Sequence, residues 1–200
     1  MKNMKKIICV LSAVLILFSM CACAPKQQDS MQQAGMTIRP SEFSEETKEI
    51  LDLIDVNDEI RFFDIKLDDS VKSCYMTLWV YQNGEWKQAG QTKAAAELPE
   101  ARMAVRLTEN NCDLYLGDGN GNSKYSVPVL EGNLENSVSK LDQIVDSEIP
   151  LELNKETPIW VKIGTNSNSI EIGGNMDDFR QIDCNAGIAV TLTVSDKAIG

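Results

Sequence analysis

Residues 74–86 read CYMTLWVYQNGEW. Cys74, Met76, Leu78 and Val80 alternate with Tyr75, Thr77, Trp79 and Tyr81. Successive side chains of a strand point to opposite faces, so a period of two marks a β-strand, here with an aliphatic face and an aromatic one. Asn83-Gly84 follows. Both central residues of a type I′ turn need positive φ, which Asn and Gly tolerate, so the chain is expected to turn back at this point. A two-residue loop sets Tyr81 opposite Trp86, on the face that carries Tyr75 and Trp79.

The same period recurs on either side. Phe63, Ile65 and Leu67 alternate with Phe62, Asp64 and Lys66. Met103, Val105 and Leu107 alternate with Arg102, Ala104 and Arg106; Cys112, Leu114 and Leu116 follow, then a return over Tyr125 to Leu130. Later come Ile149, Leu151 and Leu153, then Ile159, Val161 and Ile163, a short pair at Ile170 and Ile172, and Ile188 to Val194. This gives eight or nine short strands, each with one apolar face. Such faces must cover one another, so the expected fold is all-β, an antiparallel, jelly-roll-like β-sandwich, with a β-barrel as the alternative. A short N-terminal helix is expected over 45–54, because Ser44 can cap it and Glu45 and Glu46 suit the positive end of the helix dipole. Leu134, Val138, Leu141 and Val145 fall near helical spacing, so 134–146 reads as a helix or an irregular crossover.

The first residues carry an address. Lys2, Lys5 and Lys6 precede an apolar run from Ile7 to Met20, and then comes Cys21-Ala22-Cys23-Ala24-Pro25. A basic start, a short apolar run and a small residue at the cut describe a secretory signal. The run is shorter than the roughly 18–20 residues of a membrane-spanning helix. The stretch resembles bacterial lipoprotein signals, in which the cut falls just before a cysteine that receives lipid. Ala22 supplies the small residue before Cys23, whereas Met20 stands before Cys21, so Cys23 is the expected lipidation site. The resemblance implies more than one acyl chain, hence stable anchoring. The expected organisation is a signal over 1–22, a Gln-rich flexible tether over 23–40 and one domain over 41–200. FFDIKLDDSVKSCYMTLWVYQNGEW and IPLELNKETPIWVKIGT resemble segments of uncharacterised extracytoplasmic lipoproteins of Gram-positive bacteria. That resemblance implies an exported all-β domain and no activity.

From Cys23 onward the chain holds 16 basic and 30 acidic residues, a net of −14. This argues against nucleic acid, which is held by Lys and Arg on phosphates. Membrane association is expected through the N-terminal lipid, not through charge. Cys74, Cys112 and Cys184 are scattered and odd in number, so export permits a disulfide but nothing demands one.

There is no histidine. That removes Ser-His-Asp and Cys-His nucleophile systems and His-ligated zinc, and no metal or cofactor is expected. Asp118-Gly119-Asn120-Gly121-Asn122 matches the start of a calcium loop, but Ser123 and Val129 stand where that loop needs Gly and Glu, so a plain turn is preferred. Asp177 and Asp178, after Gly173-Gly174-Asn175, read as a solvated loop. The aromatic set Tyr75, Trp79, Tyr81 and Trp86 reads first as core or partial core, as large aromatics in strands most often are; if its face is open, it is the candidate ligand-binding surface, for sugar rings or a protein partner. The expected function is a non-enzymatic, lipid-anchored binding or accessory module outside the cell membrane, recognising a glycan or a protein. The alternatives are a small carboxylate-based glycan hydrolase and an accessory subunit of a membrane complex.

Overall fold

The hairpin at Asn83-Gly84 forms, with φ of 55° and 85° at its two central residues. The computed structural model describes residues 35–56, 59–96, 99–108, 111–117, 121–128, 134, 136–170 and 176–199. Among these, eleven strands are present: β1 (Thr37–Pro40), β2 (Ile60–Lys66), β3 (Ser73–Gln82), β4 (Glu85–Ala95), β5 (Glu100–Leu107), β6 (Asn111–Gly117), β7 (Asn122–Pro128), β8 (Ser139–Ile144), β9 (Ile149–Pro150), β10 (Glu156–Thr165) and β11 (Ala186–Ser195). They form a six-stranded sheet in the order β7-β6-β5-β2-β1-β9 and a five-stranded sheet in the order β4-β3-β11-β10-β8. Every pairing is antiparallel. The fold is an all-β sandwich.

The aliphatic halves of the alternating strands meet between the sheets. Phe63, Ile65, Met103, Val105 and Leu114 from the larger sheet face Met76, Leu78, Ile188, Val190 and Leu192 from the smaller. Each is almost fully buried. Along one side the sheets touch directly. A methyl group at Gly90 on β4 would stand 2.5 Å from Val127 Cγ2 and 2.7 Å from Tyr125 Cε1 on β7, so only glycine permits this approach.

The helix α1 (Glu45–Leu53) begins as read: the Ser44 hydroxyl accepts from the Thr47 N–H at 3.2 Å. Other expectations need correction. The tether does not extend to residue 40. Gly35 onward belongs to the compact unit that contains the strands, and β1 pairs with β2 and β9. Thr37–Pro40 is too short for its alternation to be legible, and its one large apolar residue, Ile38, is wholly buried. Residues 139–144 are a strand, not a helix, because β10 offers an open edge that pairs with them from Ser139 to Ile144. The helical stripe was no stripe: Val138 is exposed while Leu134 is buried. A register irregularity between Pro158 and Trp160 puts both Ile159 and Trp160 into the inner core, leaving Val161 and Ile163 on the opposite face. Ile170 lies outside any strand and packs on the outer face of the smaller sheet. Ile172, the signal, Cys23 and Asp118–Asn120 of the proposed turn lie outside the described residues.

The outer faces of the two sheets differ. The chain after β10 folds back over the smaller sheet, where a 3₁₀ helix (Met176–Gln181) presses Phe179 on it together with Ile182 and Cys184. This makes a second apolar layer with Val161, Ile163 and Ala189. The outer face of the larger sheet instead carries a groove.

Candidate functional site

The groove is built from the polar halves of the alternating strands. Strand register places them in rows across the sheet. Arg39 of β1 stands opposite Asp64 of β2, Asp64 opposite Arg102 of β5, Arg102 opposite Gly117 of β6, and Gly117 opposite Asn122 of β7. The next row runs Phe62, Ala104, Tyr115, Lys124. Ala104 and Gly117 keep the middle of the floor low, and Phe62 and Tyr115 stand on either side of Ala104. The cavity has a volume of about 1030 Å³, and its lining also includes Thr37, Ile60, Lys66, Glu100 and Glu148.

Its charged groups are tied in pairs across neighbouring strands. Arg102 Nε lies 2.7 Å from Asp64 Oδ1, which also accepts from the Ser41 hydroxyl at 2.8 Å. Beside the groove, Arg106 donates twice to Glu59 Oε2, at 2.7 and 3.0 Å. Lys124 Nζ sits 2.9 Å from Asp113 Oδ2, and the hydroxyls of Ser126 and Tyr115 donate to the same carboxylate. Lys124 also lies over the Tyr115 ring, and Arg102 over Phe43, which meets Phe62 edge-on at 5.1 Å. The lining cations Arg39, Lys66 and Arg102 balance Asp64, Glu100 and Glu148, although the whole chain carries −11.

These contacts set the ionisation of Asp64 in the groove and of Asp113 beside it. The Arg102 hydrogen bond holds the Asp64 carboxyl below the usual range, against the effect of burial and with help from Ser41. Burial alone would raise Asp113, but hydrogen bonds from Ser126, Lys124 and Tyr115 outweigh it and the net shift is down. Both carboxyls therefore titrate lower folded than unfolded. The stability they add is fully present above the unfolded value of about 4 and is lost as pH falls through the lower folded value. Urea midpoints measured between pH 6 and pH 2.5 should show a steeper acid loss for wild type than for Asp64→Asn/Asp113→Asn. Parallel curves would mean that these pairs do not stabilise the fold.

The four aromatics singled out in the sequence lie on the other sheet. Tyr81 pairs with Trp86 across the hairpin, as the turn requires, with ring centroids 5.6 Å apart. The face is not open, however. Trp86 meets Phe179 at 4.8 Å, and Arg180 lies 4.2 Å over the Trp79 ring. Trp79 Nε1 donates to Glu156 at 2.8 Å, and Glu156 also holds Arg180. Tyr75, on the same face, is half-buried beside Thr193 and Lys93. Asp177 and Asp178 are exposed in the 3₁₀ helix, and Asp178 accepts from the Gln181 amide. Burial pushes the thiols of Cys74 and Cys184 up to about 11, which leaves them unreactive as nucleophiles. Among the described residues, no three His, Cys, Asp or Glu side chains cluster to hold a metal ion. No helix among them is long and apolar enough to cross a membrane.

The groove residues escaped the sequence reading. Phe62, Asp64, Arg102 and Ala104 were visible as the non-core halves of two strands. That β2 and β5 are neighbours, and that their outer face is left as a groove, is not written in either segment. No family model, no curated protein and no solved structure matches this chain.

Proposed function

We propose that the protein is a lipid-anchored extracytoplasmic binding module whose ligand, a glycan or a protein segment, seats in the groove of the six-stranded sheet. The observation that carries this reading is the contrast between the two outer faces. One is partly covered by the chain's own 3₁₀ segment, which leaves its aromatics half-buried, and the other holds a cavity of about 1030 Å³. That volume lies at the upper end of the roughly 300–1,000 Å³ typical of ligand clefts. The hydrolase alternative finds less support. A general acid needs a carboxyl raised by desolvation, whereas Asp64 at the centre of the groove is shifted down. Hydrogen exchange of the full-length protein, with and without an envelope extract of the producing cells, tests the reading. Protection is expected in β2, β5 and β6. Protection confined to other strands would overturn it.

One observation favours a second reading, the accessory subunit. Ile50, Leu53 and Ile54, at helical spacing on and just after α1, are all more than half exposed. A helix of nine residues is marginal in water without packing, so a protein surface covering this face would stabilise it. Leu53→Asp should then release the protein from a detergent-solubilised complex on native gels.

Export and anchoring rest on the N-terminal sequence. Cys23→Ala should abolish incorporation of radiolabelled fatty acid and shift the protein out of the membrane fraction. Undiminished label would place the lipid elsewhere, with Cys21 the next residue to test.

A further inference from the structure

The groove differs from a charged docking site in how its charges are spent. Asp64 is committed to Arg102 and Ser41. The cations and acids of its lining are equal in number within a strongly acidic chain. A polyanion would meet a repulsive long-range field and no net positive charge on arrival. A peptide adding itself as a strand needs free backbone groups at a sheet edge. This cavity lies instead on the face of a sheet whose floor strands β2, β5 and β6 are each paired on both sides. What the face does present is a fixed array of donors and acceptors around two half-buried rings, Phe62 and Tyr115, set either side of the buried Ala104, with Phe43 against the first and Lys124 over the second. Arg102 retains N–H groups beyond the one given to Asp64, and carboxylates, Asn122 and Thr37 supply acceptors.

We propose that the groove takes an uncharged, extended oligosaccharide lying across the strands. Hydroxyls of such a ligand both donate and accept, matching a mixed array with no net charge. The C–H faces of its rings match the Phe62 and Tyr115 rings. Strands are about 4.8 Å apart, so the five strands that line the groove, β1, β2, β5, β6 and β7, span roughly 19 Å, room for several rings. This inference rests on the groove being the binding site, and it adds the ligand class.

The test uses the full-length protein in detergent micelles, titrated calorimetrically with cellohexaose, mannohexaose, xylohexaose and chitohexaose. Polygalacturonate and polyglutamate serve as charged probes. Each titration is run at low and high sodium chloride for wild type, Tyr115→Ala, Arg39→Ala and Tyr75→Ala. Arg39 is exposed at the groove rim, so its truncation leaves the fold intact and guards against a misfolded Tyr115→Ala. Binding of at least one neutral hexasaccharide is expected. Its affinity should change less than about twofold with salt, because uncharged partners are not screened. It should fall about tenfold or more in Tyr115→Ala, the loss typical of an aromatic anchor. It should fall several-fold in Arg39→Ala and hold in Tyr75→Ala. Failure of all four neutral sugars at millimolar concentration overturns the inference. So does salt-sensitive binding of a charged probe alone; the groove survives as the site in that case if Arg39→Ala weakens that probe. Sugar binding that is indifferent to both Tyr115→Ala and Arg39→Ala overturns the inference and the groove together.

Discussion

Trp160→Ala should remove about 4–5 kcal/mol of folding stability, the upper part of the range for truncating a buried aromatic. The Trp160 ring is 2 % exposed and sits in the central core at the β8–β10 side of the sandwich. Three further contacts hold it. Its Nε1–H donates to Asp142 Oδ1 at 2.7 Å, and Lys162 and Arg61 lie over the ring at 5.1 and 5.5 Å from its centre. The cations matter because they let a large ring close the end of the core while its neighbours stay wet. Lys162 is itself within 3.8 Å of Asp142, so one edge carboxylate organises both the indole and its cap. Total stabilities of domains run to about 5–15 kcal/mol, so the loss would consume a large share of it. Trp160→Phe separates the contributions. It keeps an apolar ring and gives up the hydrogen bond, worth about 1 kcal/mol, together with some packing. Urea titrations of wild type and both variants measure the difference. A loss below about 2 kcal/mol for Trp160→Ala would place the ring at the surface and overturn the packing of β10 against the core.

How much of this was legible in the sequence depends on whether a residue's role was local. The Tyr81–Trp86 pair was local, set by period and turn chemistry; the register shift between Leu78 and Trp79, which brings Tyr75 opposite Lys93, was not. The inward faces of β2, β3, β5 and β11 were local for the same reason. Short or compensated elements were not. β1 has four residues and one large apolar side chain, too little for a period to emerge, and its place comes from pairing with β2. β8 has Leu141 facing outward with Ile163 and Ile144 facing the core. It therefore shows apolar residues on both faces and mimics a helical spacing. The aromatic face was read correctly as a face, yet its cover comes from residues a hundred positions away. The groove was invisible for the mirror-image reason. It is a face that strands distant in sequence leave as a groove, and its Arg102–Asp64 pair joins β2 to β5 across 38 positions.

The cover over the aromatic face makes a second large prediction, this time about coupling. Gly187 on β11 lies directly beneath the Trp86 indole. A methyl group there would collide with Cη2 and stand 2.8 Å from Cζ2. The ring has little room to retreat, because Phe179 meets it perpendicularly at 4.8 Å and Phe179 is wholly buried. Gly187→Ala should therefore cost about 2–3 kcal/mol, as overpacking does in a tight core. Trp86→Ala should cost about 3 kcal/mol, the low end for a buried Trp, because the ring is half-buried and its Nε1, buried with no partner among the described residues, contributes no hydrogen bond there. The two losses should not add. With the indole gone, the methyl at 187 has space and fills part of the hole, so the double variant should be no less stable than Trp86→Ala alone. A coupling energy of about 2 kcal/mol follows, well above the roughly 0.5 kcal/mol scatter expected of independent sites. Thermal and urea unfolding of the two single variants and the double variant close the cycle. Additive losses would mean that Trp86 does not rest on Gly187. The aromatic face of β3 and β4 would then be open to solvent, and it would return as a rival to the groove for the ligand.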